Sequence, residues 1–227
     1  MNPIYNFLKE LKPYDLPGGK RIRLGLKEDG GYVLFNKGLD NIDVLYSYGV
    51  ETNSEFELMF CEKYNSIARL YDHTVDVMPV KSDFLYFKKE GVGPVKTKNL
   101  NTIENHINEN KDNNKKLILK IDTEGAEWDT FYQISNKILG SFEQIIMEIH
   151  GLHSEHPDYN GINLFKSKID RKTYVINKIN KLFYLYHVHA NNYQPFFYKG
   201  LFKLPNAMEL TFVNKKYFKN VEYSKTI

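Results

Sequence analysis

The sequence predicts an α/β fold. It reads as a doubly wound, mostly parallel sheet with an antiparallel last strand and an N-terminal β-hairpin elaboration. Three observations carry this. Leu117, Ile118, Leu119 and Ile121 form a nearly continuous apolar run, broken only by Lys120, which is how a strand covered on both faces reads. Strand-like and helix-like segments alternate through most of the chain, as βαβ units require. Two late strand-like segments, 183–189 and 208–213, have no helical pattern between them and pair as an antiparallel hairpin.

Residues 4–11 have the spacing of a short amphipathic helix, closed by Pro13 and the breaker Pro17-Gly18-Gly19. Ile22, Leu24 and Leu26 alternate, Asp29-Gly30-Gly31 follows, and Tyr32-Val33-Leu34-Phe35 completes a hairpin. The turn explains those glycines, but glycine also admits a ligand close to the backbone, so Gly31 is a secondary site candidate. Residues 1–40 are read as a helix-and-hairpin elaboration, and 41–227 as the core of one domain spanning 1–227. The strand 44–48 ends at Gly49. Phe56, Met59, Phe60 and Tyr64 then predict a helix over 53–64, with Asn53 or Ser54 as its N-cap. Residues 66–71 form a strand ending at Asp72, and 84–87 form a third, closed by Gly91-Val92-Gly93-Pro94. Residues 99–110 read as a helix with Thr102 near its start.

The apolar run stops at Asp122, and Ala126, Trp128, Phe131 and Ile134 mark the next helix. Glu124 and Glu127 fall in its first turn, where acids complement the helix dipole. In the strand 142–150, alternation puts Glu148 and His150 on one face at the carboxyl end. The loop 151–161, with His153, His156 and Pro157, has the length of a lid or of a plain connection. A long helix covers 164–182, and His187 and His189 share a face of the strand 183–189.

The 31 basic and 28 acidic residues give a net charge of +3 and are spread along the chain, which argues against a nucleic-acid track. The single cysteine, Cys61, excludes an internal disulfide framework and falls in an apolar helical pattern, as a buried thiol does. No apolar run reaches the length of a membrane span and no signal-peptide pattern opens the chain, so a cytoplasmic location is expected.

The chemistry gathers at strand ends. Asp72 lies 23 residues beyond Gly49, close to the spacing at which α/β nucleotide folds place an acid against a ribose. Asp122, His150 and His189 add a carboxylate and two imidazoles. They serve either as catalytic groups, an imidazole taking the proton of a hydroxyl nucleophile, or as ligands of a divalent ion.

Residues 46–51 (Tyr-Ser-Tyr-Gly-Val-Glu), Tyr71-Asp72, residues 119–128 (Leu-Lys-Ile-Asp-Thr-Glu-Gly-Ala-Glu-Trp) and residues 147–151 (Met-Glu-Ile-His-Gly) resemble the FkbM-type branch of S-adenosylmethionine-dependent methyltransferases. The Asp-x-Glu-Gly-Ala-Glu block is the most characteristic motif. Residues 29–32 and 189–192 are similar to members acting on sugars. The likeness runs from about Arg21 to Val213. It implies a Rossmann-like sheet of seven strands, S-adenosylmethionine as methyl donor, and O-methylation of a sugar or nucleotide-linked glycan precursor. A Mg²⁺ or Mn²⁺ requirement is left open. On that resemblance Gly31, Tyr48, Gly49, Glu51, Asp72 and Asp122 surround the cofactor, with Gly49 and Glu51 at its methionine end and Asp72 at its ribose. Asp122, His150 and His189 face the reacting centre. The glycine loop is thinner than in the family, with Thr52 and Asn53 where a second glycine is expected. Three other readings stand beside this one: a nucleic-acid methyltransferase, a non-catalytic nucleotide-binding module, and a glycosidase using Glu124 and Glu127.

Overall fold

A computed structural model describes residues 2–78, 80–152, 168–199, 201–219 and 221–224. Seven strands share the central sheet: β1 (Val44–Tyr48), β2 (Ile67–Tyr71), β3 (Leu85–Lys88), β4 (Leu117–Ile121), β5 (Phe142–Ile149), β6 (Phe183–Ala190) and β7 (Met208–Asn214). Their spatial order is 3-2-1-4-5-7-6. The run β3-β2-β1-β4-β5 is parallel throughout, and β7 lies antiparallel between β5 and β6. The first five strands follow the order of a Rossmann-like sheet. The last strand is inserted into the sheet rather than added at its edge.

The period of two divides the central strands between two cores. Tyr46, Tyr48, Leu119, Ile121, Ile145 and Met147 face one side. There they meet Phe7 of α1 (Pro3–Glu10), Ile103 of α3 (Ile103–Glu109), Phe131 of α4 (Ala126–Gln133), Leu139 of α5 (Asn136–Leu139) and Val175 of α6 (Lys168–Leu182). Leu45, Ile118 and Ile146 face the other side. There Phe56 and Phe60 of α2 (Glu55–Tyr64) and Leu24, Tyr32 and Leu34 of the N-terminal hairpin cover them. Each such buried side chain contributes about 1.5–3 kcal/mol.

The hairpin pairs Arg21–Gly25 with Gly31–Phe35 and takes the place of helices over β5 and β7. A strand lying on a sheet face has peptide groups that no helix or ladder satisfies, and side chains from the sheet do so here. Gln144 donates to the Phe35 carbonyl at 2.6 Å and accepts the Phe35 N–H at 3.1 Å. The Thr211 hydroxyl donates to the Val33 carbonyl at 2.5 Å. Near the two ends of the chain, Tyr14–Asp15 pairs antiparallel with Glu222–Tyr223.

Several boundaries differ from the sequence reading. The helix expected over 99–110 begins only at Ile103. Leu100–Asn101 instead pairs with Gly91–Val92, a tertiary partner the helical pattern does not announce, and Thr102 caps the helix by accepting the Asn105 N–H at 3.1 Å. Asn53, not Ser54, caps α2 by its side chain, accepting the Glu55 N–H at 3.0 Å. A short hairpin, Phe196–Lys199 with Phe202–Pro205, stands between β6 and β7 where no structure was anticipated. The loop carrying His153, His156 and Pro157, and the start of the helix expected from 164, lie outside the described residues. Cys61 is buried as expected, and burial pushes its thiol up to about 12. Among the described residues no helix is long and apolar enough to cross a membrane.

Candidate active site

Strand order reverses between β1 and β4, and open α/β sheets bind ligands in the crevice outside the carboxyl ends at such a point. The register aligns the candidates there. Tyr48 is opposite Tyr71 on one side and Ile121 on the other, and Ile121 is opposite Met147. One residue further along, Gly49, Asp72, Asp122 and Glu148 therefore stand at one level across four strands. Glu209, paired with Glu148, and His189, paired with Glu209, extend the row to the edge. Lys120 and Asp122 alternate with Leu119 and Ile121, which puts them on the hairpin-covered face.

On the β1 side Gly49 has φ +74°, and a Cβ there would overlap the Asp122 carbonyl oxygen, so the close approach of β1 and β4 requires glycine. Glu51 also sits in the left-handed region, at φ +43°. Its N–H donates to Asp72 Oδ2 at 3.0 Å, while the Thr74 N–H and hydroxyl donate to Asp72 Oδ1 at 2.8 and 2.6 Å. Burial opposes ionisation of Asp72, yet these bonds hold it below its ordinary range. Asp72 thus pins the glycine loop of the neighbouring strand. Tyr48 turns the other way, into the helix-covered core, where its hydroxyl lies 3.1 Å from His106 Nδ1. Gly31 sits in the hairpin turn, where a Cβ would strike the Leu26 carbonyl and the Arg23 guanidinium.

Carboxylates converge on one imidazole at the β4–β5 ends. His150 Nε2 lies 3.5 Å from Glu148, 3.6 Å from Asp122 and 3.7 Å from Glu124, and its Nδ1 lies 3.4 Å from Glu127. The His150 side chain is only 6% exposed and Glu127 is fully buried, whereas Asp122 at 24% and Glu124 at 72% form the open wall. Burial alone would push His150 down; hydrogen bonding to Glu127 and Glu148, and the charges of Glu127 and Asp122, lift it to about 11 instead.

Each member is fixed from behind. Glu127 accepts the His150 backbone N–H at 2.8 Å, the Gly125 N–H at 2.8 Å and the Thr123 hydroxyl at 3.2 Å. Glu124, at φ +52°, and Gly125, at φ +109°, make the turn that aims the Gly125 N–H at that carboxylate. Tyr32 donates to Asp122 Oδ2 at 2.6 Å; burial, then the Asp122 charge, keep the phenol protonated. Asn191 donates to Glu148 Oε1 at 2.7 Å. Lys120 Nζ donates to the Gly49 carbonyl at 2.7 Å, with Asp122 at 3.9 Å and Glu57 at 4.0 Å.

The cluster joins Asp122 and His150 as the sequence reading placed them. His189 stays at the edge of the row, exposed, with Nε2 3.2 Å from Asn192 Nδ2. Between them Glu209 is raised to about 7 by burial and by Glu148. Among the described residues, Asp122, Glu148 and His150 form a group whose ligand atoms all lie within 4.8 Å of one another, the spread of donors that share one cation. Sequence reasoning missed Glu148 as a site residue, Glu127 as the clamp on His150, and Lys120 with Glu57 beneath Gly49. For Glu148 and Lys120 the signal was present: a charged residue inside a strand buried on both faces needs partners. No protein-family model matches the chain, and no curated protein matches it.

Proposed function

We propose that the protein is an S-adenosylmethionine-dependent O-methyltransferase acting on a hydroxyl of a sugar or nucleotide-linked glycan precursor, with Mg²⁺ or Mn²⁺ held by Asp122, Glu148 and His150. The observation that carries this reading is the gathering of that acid–imidazole cluster beside Gly49 at the switch point of the sheet. The donor set fits a divalent ion. Carboxylate oxygens with one imidazole suit Mn²⁺ or Mg²⁺. The separations of 3.5 and 3.6 Å from His150 Nε2 to Glu148 and Asp122 are long for a charge-assisted hydrogen bond and suit donors aimed at a shared centre. Held by Asp122, Glu148 and neutral His150, the ion would supply the charge that orients and acidifies the acceptor hydroxyl.

The chain's own residues supply alignment, the effect that makes a two-body reaction a one-body one. The Gly49–Glu51 turn, with no side chain at Gly49, receives the methionine end of the cofactor, and Asp72, which holds that turn, has one lone pair left on Oδ2 for a ribose hydroxyl. Tyr32 and Glu127 fix Asp122 and His150. The acceptor takes the remaining stretch of the row, towards Glu209 and His189. Strand spacing puts His189 about 10 Å from Glu148, wide enough for a sugar between them. In this reading His150 is a ligand of the ion, and His189 lines the outer end of the acceptor stretch.

Calorimetric titration with S-adenosylhomocysteine tests the cofactor, and Mn²⁺ binding followed by electron paramagnetic resonance tests the metal. Wild type is expected to bind both, Asp72→Ala to lose the first and Asp122→Asn the second. Failure of folded wild type to bind S-adenosylhomocysteine rejects the methyltransferase reading. Binding without turnover on any sugar nucleotide leaves the nucleotide-binding module.

A further inference from the structure

We propose that the hairpin between β6 and β7 is a docking surface for an anionic lipid bilayer. From Asn191 to Asn206 the chain has five aromatic residues, Leu201, Leu204, two lysines and no acid. Phe197 pairs with Leu204, and both turn inward, Leu204 buried and Phe197 against the main core. The alternate positions turn outward. Phe196 is 49% exposed, Tyr198 76% and, at the turn, Leu201 100%, with Tyr193 at 61% beside them. The Lys203 ammonium lies 4.8 Å from the centre of the Phe196 ring, on this outward face.

Single exposed apolar side chains are ordinary on a protein surface, but four gathered on and beside one two-stranded hairpin form a patch. Its composition selects the partner. Phenylalanine and leucine enter the acyl boundary, tyrosine sits at headgroup level, and lysine carries its stem alongside apolar surface while its charge reaches lipid phosphates. An acid-free stretch with lysines matches the negative surface of anionic lipids. The hairpin leaves from the carboxyl end of β6, immediately beyond His189, so a bilayer held there lies beside the end of the sheet that carries the acid–imidazole cluster. This inference does not depend on the reaction proposed above.

Co-sedimentation of the full chain with vesicles tests it, using phosphatidylcholine alone and phosphatidylcholine mixed with phosphatidylglycerol. Wild type is expected to pellet with the anionic vesicles, weakly with the neutral ones, and less as salt rises. The triple variant Phe196→Ser/Tyr198→Ser/Leu201→Ser should lower partitioning about tenfold or more. Lys203→Glu, which spares the apolar residues and guards against a triple variant that fails to fold, should lower it several-fold. Variants are compared at matched circular dichroism. No pelleting of wild type, or a folded triple variant that pellets like wild type, overturns the proposal. It is also overturned if soluble glycan displaces the protein from the vesicles, or if these residues drive self-association in sedimentation velocity without any vesicle binding.

Discussion

Replacing Glu127 with glutamine keeps the shape of the side chain and removes its charge, and the cost can be worked from its partners. One carboxylate oxygen accepts the His150 N–H at 2.8 Å and the other accepts the Gly125 N–H at 2.8 Å and the Thr123 hydroxyl at 3.2 Å, all in a fully buried setting. An amide has one oxygen and one NH₂. Whichever way it turns, its nitrogen meets a backbone N–H, of His150 or of Gly125, which then has no acceptor. A buried unsatisfied donor costs about 1–3 kcal/mol, and hydrogen bonds to a charged acceptor contribute about 1.5–3 kcal/mol each. A loss of about 3 kcal/mol is expected, which lowers Tm by about 6–12 °C for a chain of this length. Urea unfolding followed by circular dichroism, with calorimetry for Tm, measures it. If Glu127 only complemented the helix dipole, the loss would stay under about 1 kcal/mol. A measured value in that range refutes the clamp on His150.

Gly49→Ala should cost about 3 kcal/mol or more, from the positive φ and from overlap with the Asp122 carbonyl, and a variant as stable as wild type in urea would contradict the close β1–β4 approach. Lys120→Met leaves Glu57 and Asp122 without their buried cation and should cost about 3 kcal/mol. Adding Glu57→Gln should restore at least about 1 kcal/mol, and strict additivity in that double-mutant cycle would show that the two do not interact. His187 is held down at about 4 by burial, then by the charges of Arg21 and His189, against about 6.5 in the unfolded chain. The unfolded chain therefore binds more protons between those values. Stability from this residue is complete above about pH 6.5 and falls by up to about 3 kcal/mol on going to pH 4. His187→Gln should flatten unfolding free energy over that window, and an unchanged slope rules His187 out as its source.

Much of the scaffold was legible because periodicity reports burial. The run Leu117–Ile121, the ends of β1 and β2 at Gly49 and Asp72, and the face shared by Glu148 and His150 all stand where the pattern put them. The site was legible only in part. Spacing along a strand says that Glu148 and His150 share a face, but not that Glu127, on the helix after a different strand, reaches the His150 backbone. Such a contact depends on the turn at Glu124 and Gly125, whose left-handed backbone leaves no periodic trace. Lys120 looked like an interruption of an apolar run, and its meaning came only from the Gly49 carbonyl and Glu57 beneath it. The hairpin at 196–205 was missed because only Phe197 and Leu204 turn to a core while Phe196, Tyr198 and Leu201 face solvent, which leaves no alternation of apolar and polar residues to read.

Because β7 is inserted between β5 and β6, the sheet cannot be finished in the order in which the chain is made. While residues beyond β6 are still in the ribosome, β5 has an unpaired edge and β6 has no neighbour to join. That interval lasts seconds at about 5–20 residues per second. An exposed edge of apolar residues such as Ile145, Ile146 and Met147 is a template for intermolecular pairing. Chains that stop short of Met208 should therefore be far more prone to aggregate during synthesis than chains that stop just after Asn214. The arrival of β7 completes both the sheet and, through Glu209, the row of side chains at its end, so functional assembly and escape from aggregation come in one event.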